Sequence, residues 1–441
     1  MAFPRPRAGK TSCCALASAA AKRVVASLAV FLIANSAVAP AAVAQGLPTG
    51  GNVAAGAVII GSSGRVLTIT QSSQNAIVNW NSFSIGQPNT VNINQPNASS
   101  AILNRVTGST PSTIAGQLNA NGVVFLINPN GIAITSTGTV NVGGGFVAST
   151  LGMSDAEFLA GRSKFVGNGA SASVSNAGLI TVGRGGYAAL IGGTVSNSGR
   201  IVVPLGKVGL GSGERVTLDF SGDNFLQVEV PTMSASEDAL VKQSGTISAP
   251  GGQVIIAAAT AREAARNAIN MSGVIEANTI AGQTGSIELG GGPGGKVDVG
   301  GQVIASGGAS NAGGRVAISG GTLFVTGKVD TSGASGGQVA IAAAKAATLT
   351  GTVRATGSQG RGGTITATAP SLALKGATLD ASGAAAGGTI ALGAEFASGG
   401  ILGRAEVVSI DSPPRSRPMP RRPDTAASSW CGPTSRPTSP A

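Results

Sequence analysis

At 441 residues the chain is long enough for two or three ordinary domains, yet 69 glycines, 11% charged residues, 3% aromatics and no histidine exclude an ordinary globular enzyme core. So few rings confine the interior to a narrow space filled by Val, Ile, Leu and Ala, the signature of a thin, repetitive β structure. The formal charge of +11 sits mostly in residues 1–44 and 412–441, and no basic stripe interleaved with aromatics runs through the middle, so nucleic acid is not an expected partner.

Lys22-Arg23 precede the apolar run Val24–Ala34, and Ala42-Val43-Ala44 follow before Gln45. A positive segment, a short apolar segment and a small-x-small site make a secretory signal peptide over residues 1–44, with cleavage expected between Ala44 and Gln45. A membrane anchor would need about 20 apolar residues. This run is shorter, so the membrane is met only during export. Cys13, Cys14 and Cys431 all lie outside the middle, so the exported region relies on packing and hydrogen bonds without disulfides.

From Gly46 onward short apolar or alternating runs such as Val66-Leu67-Thr68-Ile69-Thr70 and Thr90-Val91-Asn92-Ile93 are separated by Gly, Asn and Ser. These are strand lengths with turn punctuation. Asn128-Pro129-Asn130-Gly131 reads as a turn between two apolar strands: Pro presets φ at the first corner, Asn tolerates the second, and Gly leaves freely. Helix is expected at Ser154–Arg162, where Ser154 and Glu157 have capping-box spacing, and also at Ser234–Lys242 and Ala257–Ala268.

Repetition then appears. Ser173–Ile180 is echoed by Thr194–Ile201, and Gly-Gly-polar-Val/Ile recurs with its second Gly at Gly252, Gly295, Gly314, Gly337, Gly363 and Gly388. A drifting period of roughly 19 to 26 residues suits a parallel β-helix, an all-β solenoid in which each coil is one rung. Gly and Asn would take corners of positive φ, and stacked Asn and Thr would form ladders. At ~21 residues and ~4.8 Å per rung, residues 45–411 would make ~17 rungs and a rod roughly 80 Å long. Residues 412–441 hold eight prolines and five arginines but no Val, Ile or Leu. They read as a disordered tail, and their abrupt onset in mid-repeat suggests a reading-frame change.

Chemistry-bearing patterns are sparse. Without His there is no Ser-His-Asp triad, no catalytic residues are expected, and neither a metal nor a cofactor site is assigned. Gly183-Arg184-Gly185-Gly186-Tyr187-Ala188 fits a dinucleotide pattern, but Gly192-Gly193 interrupt any following helix, so a rung corner is expected. Gly291-Gly292-Pro293-Gly294-Gly295-Lys296 puts a cation where a calcium roll needs a ligand. Asp219, Asp223 and Glu229 are the nearest approach to the paired carboxylates of a β-helical glycan-active enzyme, and solvated corner charges are the simpler account.

Five blocks in order carry a resemblance: Asn79–Gly86, Ile93–Asn97, Ile102–Val106, Val124–Ile132 with its Asn-Pro-Asn-Gly, and Ala148-Ser149-Thr150 followed by Ser154–Arg162. Together they resemble the N-terminal secretion domain of filamentous-haemagglutinin-like exoproteins of two-partner secretion. The match is strongest over 45–170 and extends to about 300, with 301–411 resembling the family's repetitive shaft. The resemblance implies a right-handed parallel β-helix, with minor helical and hairpin insertions. It also implies recognition in the periplasm by the POTRA domains of a partner outer-membrane β-barrel, and release to the surface or surroundings of a Gram-negative bacterium. Asn128, Pro129, Asn130 and Gly131 align with the family's secretion motif; a second Asn-Pro-Asn motif of some members is absent. An adhesin-type role toward host-cell glycan or protein receptors follows from the same resemblance. The alternatives are a cytolysin or contact-dependent toxin with its activity in a C-terminal region outside this chain, and the glycan-active enzyme.

Overall fold

A computed structural model describes residues 46–220, 224–233, 238–262, 266–280, 282–393, 407–410 and 428–431. They belong to one unit, Ala44–Ala441, built as a parallel β-helix. Each coil contributes strands to three faces. One face is a thirteen-stranded sheet running from Val58–Ser63 to Thr378–Asp380, and the other two continue into each other as a 23-stranded sheet. Arg315–Val325 and Gln338–Leu349 are long enough to cross from one of these faces to the next.

Successive coils lie in register. Ser173 pairs with Thr194 and Asn176 with Asn197, and after the corner Leu179 pairs with Arg200. The echo between Ser173–Ile180 and Thr194–Ile201 is therefore one coil laid on the next. Side chains alternate inward and outward along each strand, so Val316, Ile318, Leu323 and Val325 of one strand all turn into the interior. Asn176, Asn197 and Gln243 also point inward. Asn176 Nδ2 donates to Asn197 Oδ1 at 2.7 Å and Asn197 Nδ2 to Gln243 Oε1 at 2.8 Å. Each buried amide is satisfied by its neighbour one coil away, as the expected ladder requires.

Some corner glycines, Gly131, Gly185 and Gly251 among them, take the expected positive φ, whereas no described asparagine does; other corners need glycine for a second reason. In one column, a Cβ at Gly199, Gly245, Gly273, Gly301, Gly327 or Gly351 would lie 2.1–2.2 Å from the carbonyl oxygen of the glycine one coil earlier. None of these has a positive φ. Close backbone approach, not a left-handed conformation, excludes a side chain there. A second column runs through Gly252, Gly285, Gly314, Gly337, Gly363 and Gly388. It corrects the repeat read from sequence: the member between Gly252 and Gly314 is Gly285, whereas Gly295 opens a strand on another face, Gly295–Val299.

The first coil is closed off by antiparallel strands. Asn52–Ala55 pairs with Asn75–Trp80, and Val58–Ser63 with Val66–Gln71, covering edges that would otherwise expose unpaired backbone groups. Two coils carry insertions that build an outer layer. The helix Asp155–Leu159, with Ser154 Oγ accepting from Glu157 N at 3.2 Å, and the three strands Ser163–Val166, Arg215–Leu218 and Leu226–Val230 pack on the outside of one face. Strands beneath them, Val123–Ile127 and Gly145–Ser149, are buried on both sides. A second apolar cluster results, with Phe125, Phe165 and Phe225 between the coils and the outer layer. Each such ring contributes about 1.5–3 kcal/mol through burial.

Several expectations fail against this frame. Lys242 lies in the strand Val241–Gln243, and Ala257 and Ala268 lie in the strands Gln253–Ala258 and Arg266–Met271, so the two later helices are not formed there. Pairing with the coils on either side overrides local helical preference. Ser234–Glu237 and Glu263–Ala265 lie outside the described residues. The rung count was too high, because insertions and long corners spend more than 21 residues on many coils. The thirteen-stranded face corresponds to a stack roughly 55 Å long. Of 412–441 only Ser428–Cys431 is described, pairing in parallel with Thr389–Leu392, a strand where the proline pattern argued against any.

Candidate recognition site

The Asn128–Gly131 turn is held from below by its first residue. Asn128 is fully buried, and its Nδ2 donates to Thr110 O and to Ser112 Oγ, both at 2.9 Å. Its Oδ1 accepts from Asn130 N at 3.0 Å and from Asn130 Nδ2 at 2.9 Å. This is an Asx-turn laid over a backbone turn, since Gly131 N donates to Asn128 O at 3.2 Å. Gly131 has φ +121°, where a Cβ would be strained. Pro129 and Asn130 are exposed, and Asn130 Nδ2 also donates to Gly108 O at 2.8 Å. Asn128 is therefore a structural clamp, while Pro129 and Asn130 form the accessible crest.

The other blocks tie the coils around the turn to one another. Trp80 Nε1 donates to Asn104 Oδ1 at 3.0 Å, and the Trp80 ring meets Phe83 edge-on at 5.5 Å. Gln95 Nε2 donates to Gln71 Oε1, Ser100 O and Val123 O, and its Oε1 accepts from Gly122 N. Arg105 reaches across coils to Asp155 at 2.6 Å and Met153 O at 2.8 Å, tying the helix to the coil surface. Phe125, three residues before the turn, packs edge-on against Phe158 of that helix at 5.5 Å. Asn128 N donates to Ser149 O at 3.0 Å. Residues spread from 79 to 158 thus form one connected assembly.

Beneath the outer layer a buried carboxylate fixes a loop. Glu214 accepts from Gly169 N at 3.0 Å, Ser171 N at 2.9 Å and Ser171 Oγ at 2.7 Å. Burial alone would raise its pKa, but these bonds and one from Thr232 together hold it below the usual carboxylate range. Its stabilisation is then complete above the ordinary value of about 4.3 and is lost as pH falls through the depressed one. Glu214→Gln should lower the melting midpoint at neutral pH and flatten its acid-side decline. A parent midpoint that does not move on acidification would contradict this.

The remaining sequence candidates do not converge. Glu229 pairs with Arg215 at 3.9 Å, at one end of a hairpin whose other end holds Asp219, and Asp223 lies outside the described residues. Gly183–Tyr187 is a corner, with Gly185 at φ +77° and the strand Tyr187–Gly192 following directly. Lys296 pairs with Asp298 at 2.9 Å and lies over the Phe324 ring at 5.0 Å. Ala44 and Gln45 lie outside the described residues. Sequence reading missed Thr110 and Ser112, the partners of Asn128, and Glu214, because no local pattern marks a contact made between coils.

A capped parallel β-helix whose early coils carry an external helix and hairpin defines the class: a β-helical secretion domain. The model of the TPS secretion domain matches residues 44–299, and the chain belongs to that family, carrying the N-terminal secretion domain of a two-partner secretion exoprotein. It is 30% identical over 256 residues to the heme/hemopexin-binding protein of Haemophilus influenzae strain Rd, covering 56% of this chain and 27% of that protein. A second Haemophilus influenzae heme/hemopexin-binding protein is 47% identical over 78 residues, covering 18% of this chain and 8% of that one. The chain thus spans about a quarter or less of the length of these curated relatives. The crystal structure of the HMW1 secretion domain from Haemophilus influenzae superposes with a TM-score of 0.68 at 28% identity, over 82% of this chain and all of that one.

Proposed function

We propose that this chain is the exported N-terminal part of an adhesin-type exoprotein, and that a partner outer-membrane transporter recognises it in the periplasm at the Asn128–Gly131 turn. The observation that carries the reading is the division within the turn: a buried Asn128 that fixes the corner and an exposed Pro129-Asn130 crest that leaves a partner something to touch. The family match over residues 44–299 supports an export role for this region. The signal peptide over 1–44, cleaved after Ala44, brings the chain to the periplasm, and the POTRA domains of the transporter are the expected reader. Attachment to host-cell glycans or proteins is then the task of the complete exoprotein at the cell surface or in the medium.

Co-expression with the gene of a two-partner outer-membrane transporter and measurement of released protein tests the export reading. Asn130→Ala should cut release at least about tenfold while the melting midpoint of the purified chain stays near that of the parent. Normal release of that variant would overturn the turn's role.

A second reading is capture of haem or hemopexin, favoured by the curated relatives' names. Their similarity lies within a fraction of those proteins, so the two readings share the same exported region. Solid-phase binding of the released product to hemopexin, set beside adherence to epithelial cells, separates them.

A further inference from the structure

We propose that Asn168 is a site of self-modification: its side-chain amide is lost through attack by the Gly169 backbone nitrogen, with the Glu214 carboxylate as the base, leaving aspartate or isoaspartate at 168. The sequence holds three Asn-Gly pairs, Asn121-Gly122, Asn130-Gly131 and Asn168-Gly169. Glycine carries no Cβ to hinder attack by its own nitrogen, so these are the pairs open to such chemistry. The fold treats the three differently.

At Asn121 both ends of the amide are engaged, Oδ1 accepting from Gln95 N and Nδ2 donating to Gln95 O, each at 2.7 Å, while Gly122 N donates to Gln95 Oε1 at 3.0 Å. At Asn130, Nδ2 donates to Gly108 O and Asn128 Oδ1, and Gly131 N donates to Asn128 O. In both pairs the leaving nitrogen is held and the attacking nitrogen faces an amide oxygen, which is no base. Asn168 is exposed, and among the described residues its Nδ2 has no hydrogen-bond partner. Its Oδ1 accepts from Ala170 N at 3.2 Å, which folds the carboxamide back over the Gly169 peptide and sets a donor where negative charge develops on attack. Gly169 N donates to Glu214 Oε2 at 3.0 Å, so the proton that must leave already points at a carboxylate. The loop is wrapped closely on that group: a Cβ at Gly167 would stand 1.9 Å from Glu214 Oε2.

The step consumes only water. The bond from Gly169 N to Asn168 Cγ forms as the N–H proton passes to Glu214, the Cγ–Nδ2 bond breaks, and that proton leaves with Nδ2 as ammonia. Water then opens the cyclic imide at either carbonyl. Glu214 lies 45 residues along the chain from Gly169, so the base is in place only once the outer layer has folded, and the change marks folded chains. The charged groups of the strands packed beside it, Lys164, Arg215 and Glu229, are exposed, with Arg215 paired to Glu229, and the Arg266 guanidinium is bound to Thr232 O at 2.6 Å. Hydrogen bonds from Ser171, Thr232 and Gly169 keep Glu214 ionised at and below neutral pH.

The test incubates the folded full-length chain at about pH 6 and about pH 7.5, a range in which Glu214 stays a carboxylate. Peptide mapping by mass spectrometry follows each Asn-Gly pair through the mass gain of amide-to-acid conversion. Asn168 should convert at least about tenfold faster than Asn121 or Asn130. Its rate should change less than about threefold between the two pH values, where a hydroxide-driven reaction changes about thirtyfold. Glu214→Gln keeps a hydrogen-bond acceptor but no base, and should slow conversion at Asn168 by about tenfold or more even though it loosens the loop. Unchanged or faster conversion in that variant would show that Glu214 shields Gly169 N, and would overturn the proposal. A pH dependence in the parent as steep as that of the hydroxide reaction would overturn it too, whether or not the variant folds.

Discussion

Asn128→Ala is expected to destabilise the early coils by on the order of 2–4 kcal/mol, because it strands Ser112 Oγ and removes the acceptor for Asn130 N in a buried corner. Asn128→Asp keeps the volume but turns a donor into an acceptor facing Thr110 O, so it should destabilise as well. Asn130→Ala breaks its bonds to Gly108 O and Asn128 Oδ1 at an exposed site and should cost under about 1 kcal/mol. Thermal melting of the three purified variants beside the parent measures the split. A loss for Asn130→Ala as large as that for Asn128→Ala would show that both asparagines are scaffolding, and the accessible crest would lose its claim to a contact role.

The second large effect belongs to the glycine columns. At Gly363 a Cβ would stand 2.0 Å from the carbonyl oxygen of Gly337, and at Gly337 it would stand 2.2 Å from that of Gly314. These are backbone atoms of the neighbouring coil, so no side chain can swing away to make room. Gly363→Ala should cost about 3 kcal/mol or more by forcing two coils apart, and limited proteolysis should then cut near that corner. Gly376, with φ +69° and open space around its Cβ position, is the control. Gly376→Ala bears only a conformational cost of about 1 kcal/mol. Equal effects at the two sites would show that conformation rather than close approach governs the columns.

Much of this architecture is legible in the chain. The Ser173–Ile180 and Thr194–Ile201 echo fell on adjacent coils in register, because a coil that repeats its inward residues can stack on itself. A ladder of stacked asparagines was foreseen, but at the corners and with threonine; that it turns inward and ends on Gln243 was not. The apolar strands Val123–Ile127 and Tyr187–Gly192 are buried on both faces, which the outer layer explains and the sequence reading did not draw. The two later helices were misread because Val241 and the apolar run at 254–258 serve the coil faces, which only neighbouring coils specify.

By itself the sequence determined the solenoid class, the turn at Asn128–Gly131 and the poverty of charge and rings, since composition, turn chemistry and repetition are local properties of the chain. The tertiary structure decided which glycines share a corner, that Asn128 is buried while Asn130 is exposed, and that Thr107–Pro111 stands beside the turn. Those contacts join residues about one coil apart. Coil length drifts with every corner and insertion, so no fixed spacing in the chain records which residues the stack brings together.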